Sequence, residues 1–132
     1  MGKRIVWGTV SVFCLWSALD FLIHGVLLRH AYENTPSLWR PLAQMKMGLM
    51  YFTVLISALM FVLIYGLLVG RKSPGSGLKY GLLYGMGVGV GMGYGTYSVM
   101  PIPDPMALTW FLGALVEGAL GGLFLGILFR ER

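Results

Sequence analysis

Three ionisable side chains, Asp20, His24 and Glu117, fall inside long apolar stretches of this chain. A charge near the centre of a membrane helix costs about 2.5–3.5 kcal/mol on insertion scales, so each must be neutral, paired or functional. Asp20 and His24 are four residues apart, one turn from each other on one helix face. At 1.5 Å per residue, Asp20 lies roughly 12 Å and Glu117 roughly 16 Å from the outer ends of their segments, which puts the two carboxyls at similar depth. Hydroxyls gather at the same end: Tyr94, Thr96, Tyr97 and Ser98 in one segment, Tyr51 and Thr53 in another. These residues predict a polar cleft with Glu117 as its floor, Asp20 and His24 on one wall and Tyr94, Thr96 and Tyr97 beside them. Such a cleft would bind or pass a small molecule, a lipid headgroup or an ion. The alternative is a self-satisfied network that fixes helix register, because polar groups inside membrane helices take partners in either case.

Other chemistries have weaker footing. An Asp–His–Glu set offers oxygen and imidazole donors for a divalent metal, but without the HxxxH or CxxC spacing that marks a metal site. Met45, Met47, Met50, Met86 and Met92 could serve Cu(I), yet thioethers suit packing in an apolar chain equally well. His24 and His30 lie on one segment and do not make a haem pair. No nucleophile–base pattern, nucleotide loop or zinc motif is present, which leans away from an enzyme, and no cofactor is expected. Cys14 is the only cysteine and lies mid-segment, so no intramolecular disulfide forms.

Four apolar segments must position these groups: Ile5–Leu28, Met47–Val69, Leu78–Met100 and Met106–Phe129. Each exceeds the ~20 residues a helix needs to cross hydrocarbon. The 132 residues are 57% hydrophobic and only 11% charged, with a mean hydropathy of +0.75. A soluble domain carries roughly 25% charged residues. The expected fold is therefore all-α, a single integral-membrane four-helix bundle. The first segment outruns the apolar run of a signal peptide and no cleavage site follows, so it is expected to be retained. Val6 stands where N-myristoylation needs Ser or Thr.

Glycine marks how the helices meet. Gly81, Gly85, Gly89 and Gly93 recur at every fourth position, Gly87, Gly91 and Gly95 interleave with them, and Gly118, Gly122 and Gly126 repeat the device in the fourth segment. Small residues at this spacing let helix backbones approach closely in lipid. The two series in the third segment are offset by about 200°, which predicts tight approach on two sides. Segments three and four are the expected pair, joined by a stiff Pro101–Pro105 turn, although either stripe could serve a homo-oligomer. In the Arg29–Lys46 linker, Thr35 before Pro36 marks a break and Ser37 is placed to cap a short turn. Tyr32 and Trp39 fit the headgroup level, as loop anchors or as a small cap over the outer mouth.

Lys3, Arg4, Arg71, Lys72, Lys79, Arg130 and Arg132 fall on one side of a four-span topology, against Arg29, Arg40 and Lys46 on the other. That asymmetry places both termini in the cytoplasm. The net charge of +5 then faces anionic membrane lipids, and no basic tail or Arg-rich helix points to nucleic acid. Homo-oligomers or a larger membrane-protein partner are expected of a chain with so little exposed polar surface.

One resemblance joins several of these features. Asp20-Phe21-Leu22-Ile23-His24-Gly25, Tyr32, Thr35, Leu38-Trp39-Arg40-Pro41, Pro101-x-Pro103, Trp110-Phe111-x-Gly113 and Glu117-Gly118 together resemble a family of small four-span bacterial inner-membrane proteins of uncharacterised function. The resemblance implies a bacterial inner-membrane location. It brings no activity, ligand or catalytic residue.

Overall fold

A computed structural model describes residues 1–131. All regular structure among them is helical. Helix α1 (Gly2–Asp20) runs without a break into a π-helical stretch, Phe21–Leu27, closed by the i→i+5 bond from Leu28 N–H to the Ile23 carbonyl at 2.9 Å. A short α2 (Arg29–Glu33) and two single 3-10 turns cross to α3 (Met47–Leu68). Helix α4 (Pro74–Gly89), a second π-helical stretch (Val90–Gly95) and α5 (Thr96–Val99) form one continuous rod, and α6 (Asp104–Leu128) follows.

Three helical stretches, Gly2–Leu27, Met47–Leu68 and Asp104–Leu128, are long and apolar enough to cross a membrane. The rod over 74–99 matches them in length but not in apolar character, because glycine supplies length with almost no hydropathy. Large apolar side chains face outward along the rods, among them Leu68, Phe21, Leu83 and Trp7, each more than 60% exposed. An apolar exterior of this extent is that of a membrane-embedded chain.

The closest helix pair is α4 with α6. A Cβ built on Gly77, Gly81, Gly118, Gly122 or Gly126 would fall inside the facing backbone; one on Gly85 would lie 2.5 Å from the Ala114 carbonyl oxygen, one on Gly89 2.9 Å from that of Phe111, and one on Gly93 2.5 Å from that of Ala107. The interleaved series behaves differently from the sequence expectation. Gly87 and Gly91 have nothing within 4 Å, so tight approach occurs on one side of the rod only. Toward α1 and α3 the rod instead presents Tyr80 and Tyr84, whose rings meet Phe61 at 4.7 and 4.8 Å and, for Tyr84, stack on Trp16 at 6.2 Å. Rings act as spacers where glycines do not.

Two buried clusters lie at opposite ends. One joins Val12, Trp16, Phe61, Val62, Tyr65, Leu125 and Phe129. Its tyrosines are hydrogen-bonded: Tyr80 to the Phe61 carbonyl at 2.7 Å, Tyr65 to the Ser73 carbonyl at 3.2 Å. The second joins Ile23, Leu28, Ile102, Met106 and Ala107, with Tyr32, Trp39 and Trp110 packed against it. The α1–α3 linker is therefore folded onto the start of α6. Ser37 makes no capping bond there; Thr35 does the fixing, donating to the Ala31 carbonyl and accepting from Trp39 Nε1, each at 2.9 Å. At the other end Ser73 and Ser76 form a capping box at the start of α4, with Pro74 in its first turn.

Candidate functional site

Helices α1 and α6 run antiparallel, with Arg4 donating to the Phe129 carbonyl at one end and His24 against Trp110 at the other. What lets them approach is a glycine four residues to either side of Glu117. A Cβ on Gly113 would lie 2.8 Å from Ile23 Cδ1, and one on Gly121 would lie 3.2 Å from Trp16 Nε1 and Phe61 Cε1. Between these two contacts Glu117 lies on the same face of α6 and is close enough to the Asp20 carboxyl for the two groups to interact. Trp16 Nε1 donates to the Glu117 main-chain oxygen at 2.9 Å, which locks the register of the pair.

From Asp20 the polar contacts continue outward. His24 Nε2 is 3.9 Å from Asp20 Oδ1, and His24 Nδ1 is 2.6 Å from the Tyr32 hydroxyl. That hydroxyl accepts from Trp110 Nε1 at 2.9 Å, so its own hydrogen is free to go to His24 Nδ1. The network assigns the neutral imidazole as the tautomer with its N–H on Nε2, facing Asp20. Tyr32 and Trp39 meet edge to face at 5.1 Å, and Trp39 and Trp110 at 6.1 Å. Burial pushes the Tyr32 hydroxyl above its ordinary pKa of 10.0; the Trp110 bond opposes the rise, and the Asp20 charge adds to it.

The pair is neither sealed nor fully satisfied. Asp20 and His24 side chains are 34% and 41% exposed, while Glu117 Oε1 and Ser17 Oγ are buried without a hydrogen-bond partner among the described residues. An orphaned buried oxygen at a carboxyl pair is a place where a proton, water or cation gains contacts.

The structure thus brings Asp20, His24 and Glu117 together and leaves Tyr94, Thr96 and Tyr97 apart. Tyr94 packs on Phe111 and Tyr97 at 6.1 and 6.5 Å, on the face of α6 turned away from α1. Its neighbour Gly93 stands against Ala107, ten residues before Glu117 and roughly 15 Å along the axis. Tyr94 thus differs from Glu117 both in level along α6 and in the face it occupies. Tyr51 is exposed, and Thr53 bonds only the nearby Met50 carbonyl. Met45, Met47, Met50, Met86 and Met92 point outward. Among the described residues no three His, Cys, Asp or Glu side chains are grouped to hold a metal ion.

Tyr32, Trp39 and Trp110 belong to the network, although the sequence placed the first two only as interface anchors or as part of a small cap and did not link them to His24. The signal for them was the aromatic content of a linker only eighteen residues long, folded between two spans. The glycines at 113 and 121, spaced four residues from Glu117, were the equivalent signal on α6. No protein-family model matches the chain, and neither curated proteins nor solved structures give a match.

Proposed function

We propose that this is a polytopic four-helix membrane bundle whose Asp20–Glu117 pair binds a proton or small cation, exchanged toward the linker through His24 and Tyr32. The observation that carries this is the juxtaposition of two carboxyl groups from different helices at mid-helix depth. Two carboxyls in such reach hold one proton or one cation between them, since paired negative charges in a low dielectric repel strongly. Support also comes from the unpartnered Glu117 oxygen and from the imidazole that links the pair to a tyrosine hydroxyl. In this reading both termini are cytoplasmic in a bacterial inner membrane, and the linker cap over Trp110 faces the periplasm.

The test uses Trp16 and Trp110, which touch Glu117 and the His24–Tyr32 pair respectively. Tryptophan fluorescence of purified protein, titrated with acid and separately with Na⁺ or K⁺, should show a transition. Glu117→Gln should abolish it while leaving the helical circular-dichroism spectrum intact. A wild type without any transition, or a Glu117→Gln variant that keeps it, removes the proposal.

A second reading, an accessory subunit without ligand chemistry, is favoured by the open glycine face. Gly87 and Gly91 leave a face of the 74–99 rod that no described residue covers, open to a helix of a second copy or of a membrane partner. Gly91→Leu should then lower the oligomer mass in mild detergent without unfolding the protomer. Unchanged mass would leave that face to lipid.

A further inference from the structure

The end of the molecule that carries both termini gathers cations from three separate elements. Arg4 comes from the first turns of α1, Arg71 and Lys72 from the turn between α3 and α4, and Arg130 from just beyond α6. They line two adjoining shallow recesses of about 400 and 420 Å³ that share Arg130 and Glu131. Among the described residues none of these cations makes an ion pair; the two pairs present are His24–Asp20 and Arg29–Glu33, at the other end. Two of them, Arg4 and Lys72, hydrogen-bond to neutral carbonyls instead. Arg4 Nη1 reaches the Phe129 oxygen at 3.4 Å, and Lys72 Nζ reaches the Val69 and Gly70 oxygens while sitting 6.0 Å from the Tyr65 ring. Such contacts orient Arg4 and Lys72 without neutralising them, and among the described lining residues Glu131 is the single anion against four cations.

Apolar surface adjoins these recesses. Ile127, which lines one of them, is 58% exposed, and Leu67 and Leu68, on the turn before Arg71, are 62% and 77% exposed. A concave set of unpaired cations beside outward-facing apolar side chains matches a phosphate that carries acyl chains. We infer that these recesses bind the phosphate headgroup of an anionic phospholipid, with Arg71 and Arg130 on the phosphate and the acyl chains lying along Ile127, Leu67 and Leu68. Free phosphate offers the arginines the same chemistry but nothing to the apolar flank. The site is separate from the carboxyl pair and stands or falls without it.

The test titrates phosphatidylglycerol, phosphatidylcholine or inorganic phosphate into the full-length protein in detergent. The readouts are the thermal unfolding midpoint and the lipid retained in native mass spectrometry. Phosphatidylglycerol should raise the midpoint and be retained, and phosphatidylcholine should do neither. Arg71→Gln and Arg130→Gln should each weaken phosphatidylglycerol binding about five-fold, the share of one cation at a lipid surface. Lys79→Gln, which removes the same charge at the same end but outside the recesses, should leave binding nearly unchanged. Equal binding of the two lipids would overturn the site before any variant is made. So would an equal loss in Lys79→Gln, the mark of a diffuse basic collar, or displacement of the lipid by millimolar inorganic phosphate.

Discussion

Gly85 and Gly87 are two residues apart on one helix and differ in one respect: what a methyl group would meet. At Gly85 it would lie 2.5 Å from the Ala114 carbonyl oxygen and 3.0 Å from Leu115 Cα; at Gly87 nothing lies within 4 Å. The obstacles at Gly85 are main-chain atoms of α6, which cannot rotate away. Restoring an ordinary 3.4 Å contact requires the helices to part by about 0.9 Å. A gap of that size forfeits a quarter to a half of each dispersion contact across a seam, and overpacking of this kind costs about 1–3 kcal/mol. Alanine returns up to ~1 kcal/mol of helix propensity at either position. Gly85→Ala should thus be destabilised relative to Gly87→Ala by about 2 kcal/mol, close to thirty-fold in the unfolding equilibrium. Unfolding in mixed micelles with increasing dodecyl sulfate, followed by circular dichroism, measures the difference. Equal midpoints for the two variants would refute the close α4–α6 seam.

Tyr32→Phe strips the shared partner from both His24 Nδ1 and Trp110 Nε1, and should cost about 1–3 kcal/mol, read as a lowered thermal midpoint. A midpoint equal to wild type would mean the network contributes nothing to stability. Because burial raises the Tyr32 pKa, the neutral hydroxyl's contribution is complete below pH 10.0 and is lost as pH climbs from there through the folded-state value. The tyrosinate absorbance difference between wild type and Tyr32→Phe should accordingly appear only above pH 10.0, and ionisation below it would contradict the burial. For orientation, in a Cys14→Ala background, Ser37→Cys should react with an impermeant thiol reagent in intact cells and Gly75→Cys should not; the reverse pattern inverts the topology.

Helical rods were legible because their signals are local. Long apolar runs and the Pro101–Pro103–Pro105 stop each act within a few residues, whereas a third segment read from Leu78 misses the Ser73 cap that starts its helix at Pro74. The matching level of Asp20 and Glu117 was legible too, since position along a helix follows from counting. Rotation was not. That Tyr94 packs on Phe111 while Tyr32 reaches His24 and Trp110 depends on which side of α6 each neighbour packs, and no local rule carries that information. The α4 rod illustrates the limit: two glycine series of the same spacing meet opposite fates, one set into α6 and the other open. Local sequence places both stripes, while the tyrosines at 80 and 84 and their partners on α1 and α3 decide between them.

The π-helical turn over Phe21–Leu27 shows why His24 can serve two groups at once. In a regular helix, residues four apart are rotated by about 40°, and both would point along one line toward α6. Widening the turn reduces that rotation and shifts every later side chain relative to Asp20, which lets the imidazole keep Nε2 toward the carboxyl while Nδ1 reaches Tyr32 beyond the end of the rod. Single widened turns of this kind are rare and recur at functional sites. A second widened turn, Val90–Gly95, lies in the neighbouring rod toward the same end. Its six residues include three glycines, whereas the widened turn that joins the carboxyl pair to the linker in α1 has only Gly25.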